Sequence, residues 1–193
     1  ARLPPPLTLV GAKLKPNWMS KVLFDGESVR PYMHARMPKF GEDNLRFLPS
    51  LLAELDKVKP VAFPEPERKE RGKIRQAGTQ LVGDKGLNCI TCHNFNGKES
   101  PGFKGLDLIT SYERLQPSWF YAFMRNPAAL RPGIVMPNYW AGGKGRPDIL
   151  EGDAAAQVWS IWHYFSYGQG AHTPSGIHSP GHSLEVGNVV RTY

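Results

Sequence analysis

Cysteine is nearly missing from this chain: there are two in 193 residues, too few for a disulfide-built scaffold. Long hydrophobic runs are missing too. No stretch approaches the ~20 apolar residues of a membrane span, and no signal peptide is recognisable at the start. The first residue is Ala1 rather than Met, so we expect a processed or excised piece. No convincing alternation of apolar and polar residues occurs before the last ten positions, which argues against a β-rich fold. Apolar residues still make up 40%, an ordinary share that argues against long disorder. Gly and Pro are abundant instead, at 20 and 18 residues. That excess predicts short helices joined by much ordered loop.

The net charge of +7 is unevenly spread. Residues 1–75 hold 15 Lys/Arg against 9 Asp/Glu, whereas residues 76–193 hold 9 against 8. The densest basic cluster, Arg68, Lys69, Arg71, Lys73 and Arg75, is diluted by Glu65, Glu67 and Glu70. Mixed signs at three- and four-residue spacing read as a solvated helix face. Nucleic acid is not an expected partner.

Three prolines in residues 58–66 mark a linker. Helical periodicity follows over 67–82, with Ile74, Ala77, Leu81 and Val82 on one face and Gly83 and Gly86 as stops. A second helix is predicted over 148–167 from the stripe Val158, Ile161, Trp162 and Phe165, with Asp153 near its start and Gly168 ending it. Ser118–Met124 reads as a short aromatic helix. Residues 168–183 show no periodicity, and 184–193 have the β-branched character of a strand entering a missing domain. The fold class is all-α.

An internal repeat is offset by 101 residues. Leu7, Leu14, Pro16, Trp18, Arg30 and Pro31 match Leu108, Leu115, Pro117, Trp119, Arg131 and Pro132. A Met-Pro pair follows in each copy, Met37-Pro38 and Met136-Pro137, with two extra residues in the first. Such self-similarity means duplicated units.

The chemistry sits in Cys89-Ile90-Thr91-Cys92-His93, a CxxCH motif. This is the attachment pattern of a c-type haem: two thiols add to the porphyrin vinyl groups, and the adjacent histidine supplies an axial nitrogen. Two other readings exist. A redox dithiol belongs on a thioredoxin-like βαβ corner, and a zinc site needs two further ligands; neither context is present. A second axial ligand is expected from Met136, whose loop is held extended by Pro132 and Pro137.

With these motifs in order, residues 67–167 resemble a complete class I cytochrome c domain. In that family an N-terminal helix precedes CxxCH, a Met-Pro loop supplies the sixth ligand, and a C-terminal helix crosses the first. The resemblance implies one haem c per chain, with Cys89 and Cys92 as attachment points and His93 and Met136 on the iron. It also implies a glycine of one helix under an aromatic of the other. Gly78 with Trp162 is the expected pair, Gly72 with Tyr164 the reserve. The family usually carries Gly-Pro-x-Leu after the motif, whose carbonyl receives the proximal histidine. Here the stretch is Gly105-Leu106-Asp107-Leu108, which keeps a carbonyl but loses the proline.

Trp119 and Tyr139, along with Trp140, Trp159 and Trp162, are expected to lie in the core or to wall the haem pocket. Arg131 is a candidate partner for a propionate through its planar guanidinium, and Pro137 fixes the ligand loop. Met124 reads as core. His163 is a minor alternative as distal ligand, and His172, His178 and His182 read as loop residues. The expected function is electron transfer, not catalysis, inside a larger redox protein. Rival readings are a peroxidase-like haem enzyme and a haem sensor with a labile sixth ligand. Covalent haem attachment implies a periplasmic or other extracytoplasmic location, with redox proteins or domains as partners. Residues 1–57 are expected to be the C-terminal half of a second cytochrome c-like domain. Its own CxxCH would fall before Ala1, and Met37 would be its distal ligand. The alternative is a degenerate copy with Met37 in its core.

Overall fold

The computed structural model describes residues 6–30, 33 and 37–177. The helices among them are α1 (Val10–Lys13), α2 (Pro16–Ser20), α3 (Glu42–Leu45), α4 (Leu48–Leu55), α5 (Arg71–Val82), α6 (Thr110–Arg114), α7 (Pro117–Arg125), α8 (Pro127–Leu130) and α9 (Ala154–Ser166). Only isolated bridges, and no strand, occur among the described residues. The fold is all-α with long loops. Pro31, His178, His182 and the strand expected over 184–193 lie outside the described residues.

Helix boundaries follow local chemistry. Pro16 and Pro117 open α2 and α7, where the missing N–H would have had no intrahelical partner. The Asp153 carboxylate accepts the Ala156 N–H at 2.7 Å and starts α9. That start comes later than the predicted 148, because Leu150 and Glu151 adopt left-handed φ of 48° and 56°. Likewise α5 begins at Arg71, after a turn at 68–70.

The centre of the fold is the contact of α5 with α9. A Cβ on Gly78 would lie 2.5 Å from the Ser160 carbonyl oxygen and 2.6 Å from Tyr164 Cβ. Glycine is required there because the two backbones nearly touch. The expected partner Trp162 is replaced by Tyr164. Ser160 and Tyr164 lie four residues apart on one helix face, and Trp162, between them, points to the other side. There it meets Tyr112, Phe120 and Phe63 at ring-centroid distances of 4.9, 5.0 and 5.6 Å. Gly72, the reserve choice, has nothing within 4 Å of where a Cβ would be.

Residues 58–66 form a strap laid on the second copy. Val61 N–H donates to Ser118 Oγ at 3.0 Å, and the Pro64 carbonyl accepts from Trp159 Nε1 at 2.9 Å and His163 Nε2 at 3.0 Å. Phe63 fills the gap between Tyr121 and Trp162.

The two copies meet at equivalent positions. Leu14 and Leu115 form an antiparallel bridge. Lys15 N–H donates to the Arg114 carbonyl and Gln116 N–H to the Lys13 carbonyl, both at 2.8 Å. Each bond is the image of the other under the 101-residue offset, so a local pseudo-two-fold axis passes between Leu14 and Leu115. The likeness extends along the chain: Met33 N–H returns to the Arg30 carbonyl as Ile134 N–H returns to that of Arg131. Beyond this seam the first copy is thinly covered. Phe47 and Leu55 are among its exposed apolar residues, and Met37 is 46% exposed, so it is not a core residue.

The crossing yields a paired prediction. Gly78→Ala drives a methyl into backbone and costs about 1–3 kcal/mol, whereas Gly72→Ala gains roughly 0.5–1 kcal/mol by helix propensity alone. Thermal melts of the two variants, one falling and one rising against the parent, check it. Equal melting temperatures would remove Gly78 from the crossing.

Candidate haem site

The Cys89–His93 motif is delivered by the end of α5. Leu87 N–H caps back onto the Leu81 carbonyl at 2.7 Å and Asn88 N–H onto that of Gly83 at 3.0 Å. Asn88 takes a left-handed φ of 55°, a conformation asparagine tolerates well. One tight turn, Cys89–Thr91, follows. Cys92 and His93 N–H both donate to the Cys89 carbonyl, at 3.1 and 3.0 Å, so the two thiols sit three residues apart on one side of a turn. Both cysteines are free. Cys89 is buried, and burial pushes its thiol up to about 12; Cys92 is exposed. Among the described residues no group of three or more His, Cys, Asp or Glu comes together.

His93 is oriented by the loop that follows. Its Nδ1 lies 3.0 Å from the Leu106 carbonyl. A carbonyl only accepts, so Nδ1 carries the proton and Nε2 holds the lone pair. Burial, ahead of the other influences, lowers the pKa of this imidazole and favours its neutral form. Nε2 makes no hydrogen bond to the described chain. That is the arrangement an axial ligand needs, since the backbone bond fixes both tautomer and ring orientation.

The turn that supplies the carbonyl needs glycine and a carboxylate. A Cβ on Gly105 would lie 2.4 Å from the Cys92 carbonyl oxygen and 3.1 Å from His93 Nδ1. Asp107 braces the same turn: Oδ1 accepts from Asn96 N–H at 2.9 Å and Ile109 N–H at 3.2 Å, and Oδ2 from Gly97 N–H at 2.7 Å. These bonds give the Leu106 turn a rigidity that does not depend on a proline.

The remaining candidates are distributed as follows. The Tyr139 hydroxyl is raised to about 12 by burial and then by the Cys89 and Cys92 sulfurs, which puts this ring beside the motif. Trp140 is buried and its Nε1 donates to Gln157 Oε1 at 2.9 Å, while the Gln157 amide donates to the Arg146 and Ile149 carbonyls, both at 2.7 Å. The loop carrying Met136 is thereby pinned to α9. Met136 is half-buried against the core, between exposed Val135 and exposed Pro137. Trp119 is buried on α7 and stacks on Phe123 at 4.6 Å, with Lys13 Nζ 4.9 Å from its centroid. Arg131 is exposed, and its charge reaches Lys13. Met124 is buried in the core. His163 is engaged by the Pro64 carbonyl, and the His172 carbonyl accepts from the Tyr164 hydroxyl.

Sequence reasoning missed Arg114, which is 5% exposed and whose charge acts on His93. A signal existed. Arg114 and Lys13 are basic residues at matching positions of the repeat, as Arg30 and Arg131 are.

Gly105→Ala should therefore cost about 1–3 kcal/mol and loosen the imidazole. A lowered melting temperature together with faster exchange of the His93 Nδ1 proton is the expected result; unchanged exchange would detach Gly105 from the orientation of His93. No family model matches this chain, and no match was found among curated proteins or solved structures.

Proposed function

We propose that this chain is an electron-transfer module with a cytochrome c-like domain over residues 67–167, carrying one covalently attached haem c ligated by His93 and Met136. The observation that carries the reading is the His93–Leu106 hydrogen bond. It leaves Nε2 with a lone pair next to two free thiols held in one turn. The donor set suits the group: two thiols for attachment, a neutral imidazole, and a thioether in a pinned loop. The haem, when bound, supplies a one-electron Fe(III)/Fe(II) couple. The residues of the chain hold it. Cys89 and Cys92 would attach it, His93 and Met136 would ligate its iron, and Tyr139, Trp119 and Arg131 would line its pocket. The Met-Pro loop is the element that would keep water from the sixth position.

Met136 is favoured over His163 because the His163 Nε2 is bonded to the Pro64 carbonyl. An electron enters from a redox partner protein or domain and leaves to another, with no substrate bond made or broken. Covalent attachment of a haem would belong outside the cytoplasm, and it would suit a module of a larger redox protein.

The test has two parts. Mass spectrometry of the chain produced with a c-type maturation system should show one haem bound through Cys89 and Cys92. Met136→Ala should then lower the midpoint potential and abolish the weak near-infrared sulfur-to-iron band of the oxidised form. Failure to attach haem would sink the proposal. Ready carbon monoxide binding by the reduced parent would shift the reading to a sensor or enzyme with an open site.

A further inference from the structure

The segment that carries the expected sixth ligand makes no hydrogen bonds of its own. Among the described residues, none is formed by Val135, Met136 or Pro137. Met136 and Tyr139 lean on the core through apolar contact alone. Before this segment the last hydrogen-bonded point is an exposed corner, where Ile134 N–H donates to the Arg131 carbonyl at 3.2 Å. After it the first is Trp140, which is 1% exposed and whose backbone N–H donates to Asn138 Oδ1 at 3.1 Å.

One side chain anchors Trp140 in turn. Gln157 on α9 is 0% exposed, and its amide uses all four of its hydrogen-bonding positions. Oε1 accepts from Trp140 Nε1 at 2.9 Å and from Arg146 N–H at 3.3 Å. Nε2 donates to the Arg146 and Ile149 carbonyls, both at 2.7 Å. The loop closes around this amide: Gly145 N–H donates to the Gly152 carbonyl at 2.9 Å, and Lys144 and Asp153 form an antiparallel bridge. A Cβ on Gly145 would lie 2.1 Å from Gln157 Oε1 and 2.7 Å from Trp140 Nε1, so only glycine leaves room for it. All four partners of the amide are neutral. The charged side chains of the loop are engaged elsewhere, Arg146 with Asp148 at 2.9 Å and Asp153 with the Ala156 N–H at 2.7 Å.

A buried amide satisfied on every side rigidifies what it touches, and removing it strands each of its partners. Without Gln157, the Trp140 indole and the Arg146 and Ile149 carbonyls would lose their bonds to α9. We propose that Gln157 is the positioning residue of the sixth axial site. It anchors the loop four residues downstream of Met136, and so decides whether that thioether stays on the iron or yields the position to an outside ligand. This rests on the haem reading above and deepens it, because the two axial ligands then have separate anchors: the Leu106 carbonyl for His93, and Gln157 for Met136.

The experiment uses the full haem-loaded chain. Gln157→Leu removes all four bonds at similar volume. Its oxidised form should show a weakened sulfur-to-iron band, and its reduced form should bind carbon monoxide about 10–100-fold more tightly than the parent. Amides 144–152 should exchange faster, while the His93 Nδ1 proton exchanges as in the parent. Ser160→Ala is the control and should match the parent: Ser160 is also 0% exposed on α9, but its hydroxyl donates only to the Ala156 carbonyl at 2.8 Å. Gln157→Glu keeps the shape, yet once ionised it turns an oxygen toward two carbonyls. Its band should weaken as pH rises and recover in acid, where the protonated carboxyl donates again, over a range in which the parent band is constant. A general packing defect would not be rescued by protonation.

An unmoved band and unmoved carbon monoxide affinity in Gln157→Leu, with faster loop exchange, would overturn the positioning role. Unmoved loop exchange would overturn the anchor itself. If far-UV circular dichroism shows that Gln157→Leu is not folded, Gln157→Glu carries the test, and a band that tracks the parent at every pH sinks the proposal. A parent chain that takes up no haem, or a loaded parent without the sulfur-to-iron band, overturns the proposed function instead and this inference with it.

Discussion

The missing side chain at Gly78 is the constraint on which the domain depends. With backbone-to-backbone approach at that point, α5 and α9 become one rigid unit, and everything chemical is attached to one or the other. The motif leaves α5 through the Gly83–Leu87 turn, and Gly86 fits there only because a Cβ would lie 2.2 Å from the Gln80 carbonyl oxygen. The opposite wall is referred to α9 by Gln157, whose amide and carbonyl tie Trp140 and the Arg146–Ile149 turn together. Phe95 closes the circuit. It stacks on Tyr164 at 5.4 Å with rings 10° from parallel, so the segment after His93 rests on the same residue that packs over Gly78. A candidate site built this way has its two halves fixed by the packing of the chain itself.

How much of this is legible in the sequence depends on the range of the interaction. The CxxCH turn, α5, α7 and the body of α9 follow from local spacing, whereas the histidine–carbonyl bond follows from the family resemblance. The start of α9 does not follow from spacing, because no residue-type rule announces left-handed backbone at Leu150 and Glu151. The family resemblance points to Gly78 but not to its partner: Trp162 and Tyr164 both lie on a nearly all-round apolar helix, and only the crossing geometry selects one. The proline-rich 58–66 segment reads as a linker by composition. Yet its carbonyl at Pro64 accepts from two donors of α9, and such pairings across 95 and 99 residues leave no local trace. Proline stiffens a docked strap as well as a free spacer, so composition does not separate the two.

The strap also explains why the aromatic content does not map simply onto a cofactor pocket. Trp159, Trp162 and His163 do not turn to a pocket: Trp159 and His163 face the strap through hydrogen bonds, and Trp162 faces it through Phe63. Trp119 is taken up by Phe123 and Lys13, and Tyr139 is the aromatic on which the Cys89 and Cys92 sulfurs act.

The seam shows how duplication creates an environment that neither copy has. When two copies of one unit pair about a two-fold axis, any residue near the axis meets its own equivalent. An apolar residue then gains a partner, as Leu14 and Leu115 do. A basic residue meets like charge. Lys13 and Arg114 end the first helix of each copy, so pairing at the adjacent leucine forces the two charges together, and Arg30 and Arg131 double the effect. Separating them by a longer side-chain excursion into water is blocked for Arg114, which is buried. Substituting an acidic residue at the position would not balance the charge in a symmetric pair, because it would place two like anions at the axis instead. Balance at a symmetric seam requires unlike copies, an anion from outside the repeat, or access to water. Here the copies remain alike in charge at both positions, and water is the outlet the chain itself provides, since Lys13 and Arg30 are half-buried and Arg131 is exposed.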